Sequence, residues 1–131
     1  MSSHPVLLHI EIVDHLDHDA CQTTKLLAQQ DLQPHSLSYV EKDGSTKVQL
    51  LILEKNLILK RSAEWNTQID FNLNGLGSFT VVSDQGTMEG VVKLLKHRIE
   101  SNTIELTYQL IIDGSIVTHQ TIRYTIKGAQ A

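Results

Sequence analysis

The chain has 131 residues, of which 40% are hydrophobic and only 5% aromatic, with 15 acidic and 11 basic side chains and a net charge of -4. That length encloses one core with little left for a second, and aliphatic side chains must supply most of it. The acidic balance gives no global attraction to polyanions, and no dense Lys/Arg block is present, so nucleic acid is not expected as a partner.

Cys21 is the only cysteine. An intrachain disulfide and a cysteine-based zinc site are therefore both excluded, and a reduced setting is the economical expectation. At the N-terminus, His9 and Glu11 interrupt the apolar run that begins at Val6, so no secretory leader is read there and the expected location is cytoplasmic. No apolar run approaches the roughly 20 residues that span a bilayer, and no membrane partner is expected.

Taken in chain order, the sequence reads as strands joined by turns. Val, Ile and Thr are frequent, and their branched Cβ atoms suit a pleated backbone. Residues 6–13 form the first segment, with Val6, Leu8, Ile10 and Ile12 on one face and His9 and Glu11 on the other. The polar stretch 14–19 is a loop. Residues 22–32 are compatible with a strand or with a short helix around Leu26, Leu27 and Ala28. Residues 37–41 and 47–53 flank a hairpin turn, and 57–65, 67–73, 77–82 and 91–99 follow, separated by Asn-, Gly- and Ser-containing joints.

The clearest local signal is the last hairpin. Ile104, Leu106, Tyr108 and Leu110 alternate with Glu105, Thr107 and Gln109; after Asp113-Gly114, Ile116, Ile122, Tyr124 and Ile126 share one parity. A three-residue loop, Ile112-Asp113-Gly114, pairs Leu110 with Ile116 and Ile104 with Ile122, and keeps both apolar faces together; this register is expected. About eight strands result. An antiparallel barrel would remove the open edges, and a two-sheet sandwich is the competitor. The expected organisation is a single β-barrel domain over 1–131, with 1–5 and 128–131 as flexible termini.

Four ordered pieces, Leu59-Lys60-Arg61-Ser62-Ala63, Gly75-Leu76-Gly77-Ser78-Phe79, Glu105-Leu106-Thr107-Tyr108-Gln109-Leu110 and Asp113-Gly114-Ser115-Ile116-Val117, carry a resemblance. Over residues 37–126 the chain resembles the YwiB-like family of uncharacterised bacterial proteins. The resemblance implies an all-β, antiparallel calycin or lipocalin-like barrel of about eight strands, and is compatible with a small peripheral helix. It brings no catalytic motif. Ala63 stands where such proteins often carry a glycine, and the segment before Leu37 matches less well.

Barrels of this kind place inward-pointing residues around a small ligand. Tyr108, Thr118, Gln120 and Tyr124 share the parity of the apolar residues in the last hairpin, and Arg61 and Trp65 share that of Leu57 and Leu59. An arginine binds a carboxylate or phosphate while an aromatic ring packs on an apolar body. The expected activity is noncatalytic binding of a small amphipathic or anionic molecule. Two alternatives stand beside it: a filled barrel acting as an interaction module, with a homodimer through an exterior sheet face, and an enzyme of unassigned reaction.

Asp14, His15, Asp17 and His18 form the densest set of potential metal ligands, although their spacing matches no metalloprotease or calcium-loop pattern and a solvated turn accounts for them. No nucleophile elbow, dinucleotide fingerprint or Walker loop is present, and no cofactor is implied.

Overall fold

The computed structural model describes residues 3–32 and 35–128. It contains ten strands: β1 (His4–Asp14), β2 (Ala20–Leu32), β3 (His35–Val40), β4 (Lys47–Ile52), β5 (Asn56–Ser62), β6 (Asn66–Asn72), β7 (Leu76–Ser83), β8 (Gly86–Ile99), β9 (Thr103–Ile112) and β10 (Ser115–Gly128). The expected count of eight is corrected to ten, and the small peripheral helix compatible with the resemblance is not found among the described residues. Every turn-bounded apolar segment forms its own strand. That includes the ambiguous second segment, which pairs with β1 in unbroken register from His4↔Gln30 to Asp14↔Ala20. Such a ladder satisfies one edge of the β2 backbone along most of its length, an outcome that outweighs the weak helical preference of Leu26, Leu27 and Ala28.

The strands follow one another as an antiparallel meander, and β1 closes the barrel by pairing with β10 on its other edge. Leu8↔Ile126 and Ile12↔Ile122 set the closing register, which keeps apolar side chains on the inner face of both strands. A sandwich is thereby excluded. In a meander all odd-to-even turns lie at one end, here termed the upper rim, and both ends of the described chain lie at the lower one. Of the terminal stretches expected to be loose, His4, Pro5 and Gly128 are paired in β1 and β10; residues 1–2 and 129–131 lie outside the described residues.

The last hairpin differs from expectation in an informative way. Ile112 faces Ser115 and Ile111 faces Ile116, so the turn is the two-residue Asp113-Gly114. Both residues have positive φ, 51° and 80°, as a type I′ turn requires. A bulge between Ile116 and Thr118 then inserts Val117, after which Leu110 faces Thr118, Leu106 faces Ile122 and Ile104 faces Tyr124. The three-residue loop is unnecessary because the bulge restores the parity that the tight turn upsets. Ile116, assigned by parity to the apolar face, is instead half exposed.

The lower half of the barrel is packed solid. Leu8, Leu37, Leu50, Leu57, Phe71, Val92, Ile104 and Leu106 are all at most 1% exposed. Burying each such side chain stabilises the fold by about 1.5–3 kcal/mol. Phe71 meets Tyr108 edge-on, with ring centroids 4.9 Å apart, a favoured aromatic geometry. On the outer face, Glu11, Arg123, Glu105 and Arg98 are successive cross-strand neighbours on β1, β10, β9 and β8. Arg123 pairs with both flanking glutamates. No helix among the described residues is long and apolar enough to cross a membrane.

Strand lengths are unequal. β1, β2, β8, β9 and β10 have ten to fourteen residues, whereas β3 to β7 have six to eight. One consequence positions the site: β2 pairs with β3 only from Gln29↔Ser38 to Leu32↔His35. Residues 20–28 of β2 pair with β1 alone, so no backbone ladder joins β2 to the β3–β4 hairpin above Ser38.

Candidate functional site

Above the packed half, the barrel encloses a cavity of 520 Å³, within the usual range for small-molecule sites. The aliphatic part of its wall comes from Ile10 and Ile12 of β1, Leu26 of β2, Val48 of β4, Leu59 of β5, Ile69 of β6, Leu110 of β9 and Ile122 of β10. Ile10, Ile69, Tyr108, Ile122 and Tyr124 belong both to this wall and to the buried core, so they mark the boundary between the filled and the open halves.

Polar groups come from three tyrosines, from Gln22, Thr24, Thr67, Thr118 and Gln120, and from the charged Glu41, Lys42, Asp43 and Arg61. Tyr108 and Gln120 face each other across β9 and β10, and Gln120 Nε2 donates to the Tyr108 hydroxyl. Burial pushes the Tyr108 phenol up to about 12, against a smaller opposing effect from Gln120. Tyr124 is driven well above the usual tyrosine range by burial, reinforced by Tyr39. The Tyr39 phenol is also raised, mainly by burial, and its ring stands 6.5 Å from that of Tyr124. All three are therefore protonated at neutral pH.

At the mouth, Arg61 donates from Nε and Nη2 to the two carboxylate oxygens of Glu41, both at 3.0 Å. This pairing raises the Arg61 pKa further. It also occupies the fork that the sequence assigns to an anionic ligand, and leaves the mouth nearly charge-balanced. Beside it, Asp43 accepts from the Thr46 hydroxyl and from the backbone N–H groups of Ser45 and Thr46. Those bonds hold its carboxyl down at about 2.

Of the residues singled out by parity, Arg61, Tyr108, Thr118, Gln120 and Tyr124 all line this cavity. Trp65 does not: β5 ends at Ser62, and Trp65 stands 54% exposed in the following turn. Sequence reasoning missed Tyr39 and Glu41. Both share the parity of Leu37, which made them findable as wall residues, but nothing local announces that Glu41 meets Arg61 twenty residues away.

The acidic, histidine-rich turn is organised differently from a metal site. His15 Nδ1 lies 2.7 Å from Asp19 Oδ1 and Nε2 lies 2.8 Å from Thr121 Oγ1, so both ring nitrogens are taken. Asp14 accepts from the Leu16 N–H. His18 is an exposed turn residue with φ 52°. Among the described residues no group of three or more metal-ligating side chains converges. The chain Asp19–His15–Thr121 continues to Thr107 at 2.8 Å and has the connectivity of a nucleophile–base–carboxylate set. Thr121, however, lies on the outer sheet and is paired with Val13 on one side and Thr107 on the other. Interior ladder positions leave no spare backbone N–H for an oxyanion, so the chain reads as a staple fixing the β1–β2 turn to β10.

Two comparisons place this architecture. The family described as Domain of unknown function (DUF1934) matches residues 12–125. The chain belongs to that family. The DUF1934 match takes in every cavity-lining residue except Ile10. The fold is similar to that of the ywiB protein from Bacillus subtilis, known from a crystal structure, with a TM-score of 0.69 and 14% identity over 98% of this chain and 94% of that one. At that identity the shared property is the fold. Comparison with curated proteins gives no match.

Proposed function

We propose that the upper chamber binds a small amphipathic molecule without any covalent step. The apolar body of the ligand packs against Ile12, Leu26, Leu59 and Leu110, and its polar end exchanges hydrogen bonds with Tyr108, Gln120 and the Tyr39–Tyr124 pair, with Thr118 at the upper edge. One observation carries this reading: buried, protonated tyrosines line a cavity whose wall joins aliphatic side chains to polar and charged ones, among them Gln22, Thr24, Lys42 and Thr67. A lumen filled throughout would leave no such chamber, so the reading implies a calycin-like barrel that is solid below and hollow above.

Arg61 favours an amphipathic ligand over an anion held at the mouth, because an anion there has to displace a bidentate carboxylate. Trp65 serves, in this reading, only as part of the rim. Binding of decan-1-ol, followed by native mass spectrometry and calorimetry, tests the proposal. One molecule per chain is expected, with affinity reduced about tenfold in Gln120→Leu through loss of a buried hydrogen bond. Thr118→Trp, which fills the upper lumen from a partly exposed position, is expected to abolish binding. No binding to a folded wild-type chain would falsify the reading.

A further inference from the structure

A second space lies outside the barrel beside the unpaired stretch between β2 and the β3–β4 hairpin. A groove of 560 Å³ on the exterior is lined by Leu27, Ala28, Val40, Lys47, Val48 and Lys60, among others. Tyr39 and Val48 border this groove and the inner chamber alike, so the two spaces meet at a shared wall. The meeting point lies where β2–β3 pairing stops, just above Gln29↔Ser38.

The charge of the groove is one-sided. Lys47 faces Val40 and Ser62 across its neighbours, and Lys60 faces Gln49 and Gln68. None of these neighbours carries a charge. Because Lys47 pairs with Ser62 and Gln49 with Lys60, the two lysines are diagonal neighbours on one face, about 7–8 Å apart at the backbone and within reach of a single anion. No ion pair to either is found among the described residues. Two cations without carboxylate partners thus flank an apolar floor in a chain whose net charge is -4.

We infer that this groove is the head-group site of an anionic single-chain amphiphile, whose carboxylate or phosphate rests on Lys47 and Lys60 while its tail passes between β2 and β3 into the chamber. The inference rests on the chamber reading above and adds a second orientation to it. An anionic amphiphile keeps its head outside on the lysines with its tail against the aliphatic wall, whereas an uncharged one turns its polar end to Tyr108 and Gln120. The anion is thus assigned to the outer lysines, which have no acidic partner, and Arg61 is left to Glu41. The unpaired stretch beside Ala28 and Tyr39, with no strand ladder across it, is the route of entry.

Calorimetric titration with decanoate and with decan-1-ol separates the two levels of the argument. The wild-type chain is expected to prefer decanoate, and the preference is expected to shrink as salt rises. In the Lys47→Gln, Lys60→Gln double variant decanoate affinity falls about tenfold or more, while decan-1-ol affinity stays within about twofold, because the chamber is untouched. Arg61→Gln leaves the preference intact. Equal affinity for both probes, or loss of the preference in Arg61→Gln alone, overturns the head-group site and leaves the chamber standing. Failure of both probes to bind overturns both. If the groove instead seats a second copy of the chain, sedimentation shows a dimer that the lysine substitutions perturb and decanoate does not affect, which also overturns the inference.

Discussion

Tyr108 and Asp43 carry opposite pH signatures. The Tyr108 phenol titrates near 10.0 when unfolded and at about 12 in the barrel, because ionising it there would place a charge in the core. A raised pKa contributes stability that is whole below pH 10.0 and is lost as pH rises through about 12. Tyr108→Phe is therefore expected to flatten the alkaline limb of stability, read as a smaller drop in urea midpoint from about pH 9 to about pH 11.5 than in the parent. Asp43 works the other way. Its carboxyl lies at about 2 instead of 3.8, so its contribution is present above 3.8 and is lost as pH falls through about 2. Asp43→Asn is expected to remove that acid dependence, and an unchanged acid limb contradicts the assignment to Thr46. Gly77 illustrates a steric constraint: a Cβ there would drive into the Asp70 carbonyl oxygen, a backbone atom that cannot swing aside. Gly77→Ala should cost about 2 kcal/mol through overpacking, seen as a lower urea midpoint at unchanged slope.

Among the elements, the β9–β10 hairpin shows how far pattern reaches. Its alternating faces are legible because Leu106, Tyr108, Ile122 and Tyr124 each sit two residues from the next apolar position. The bulge at Val117 is not, since nothing in the residue pattern marks the inserted position across which β10 reverses its facing, leaving Ile116 outside while Ile122 and Tyr124 point in. Gly114 fits the φ of 80° that the turn imposes, so Gly114→Ala should cost about 1 kcal/mol, whereas Asp113→Asn should be neutral because Asn tolerates the left-handed region. β2 was ambiguous because Leu26-Leu27-Ala28 suits either periodicity, and only its ladder with β1 decides. The candidate site divides in the same way. Inward parity was readable at Tyr108, Thr118, Gln120 and Tyr124, while the Arg61–Glu41 pair depends on where two hairpin ends meet. Parity also misleads at Trp65, because β5 ends at Ser62 and its alternation does not extend to residue 65.

At the scale of the whole molecule, ten unequal strands produce two different halves. Large aliphatic and aromatic side chains fill the lower barrel, and their interdigitation supplies the stability that permits the upper half to stay hollow. The outer charge ladder adds little by comparison, since Arg123 is nearly half exposed and surface pairs of this kind contribute under about 1 kcal/mol. The short β2–β3 ladder gives the otherwise closed barrel one weak seam, which faces the outer groove. The unpaired seam follows from where the β2–β3 ladder stops, a property that composition and alternation do not encode.

The central claim is that the upper lumen is an open chamber that accepts a small amphipathic molecule. A crystal structure of the protein soaked with decan-1-ol addresses it most directly. The account predicts continuous ligand density between Leu59, Leu110 and Ile122, with the hydroxyl within hydrogen-bonding distance of Tyr108, Gln120 or Tyr124. A lumen closed by those same side chains, with decan-1-ol absent or bound only on the exterior, would contradict it.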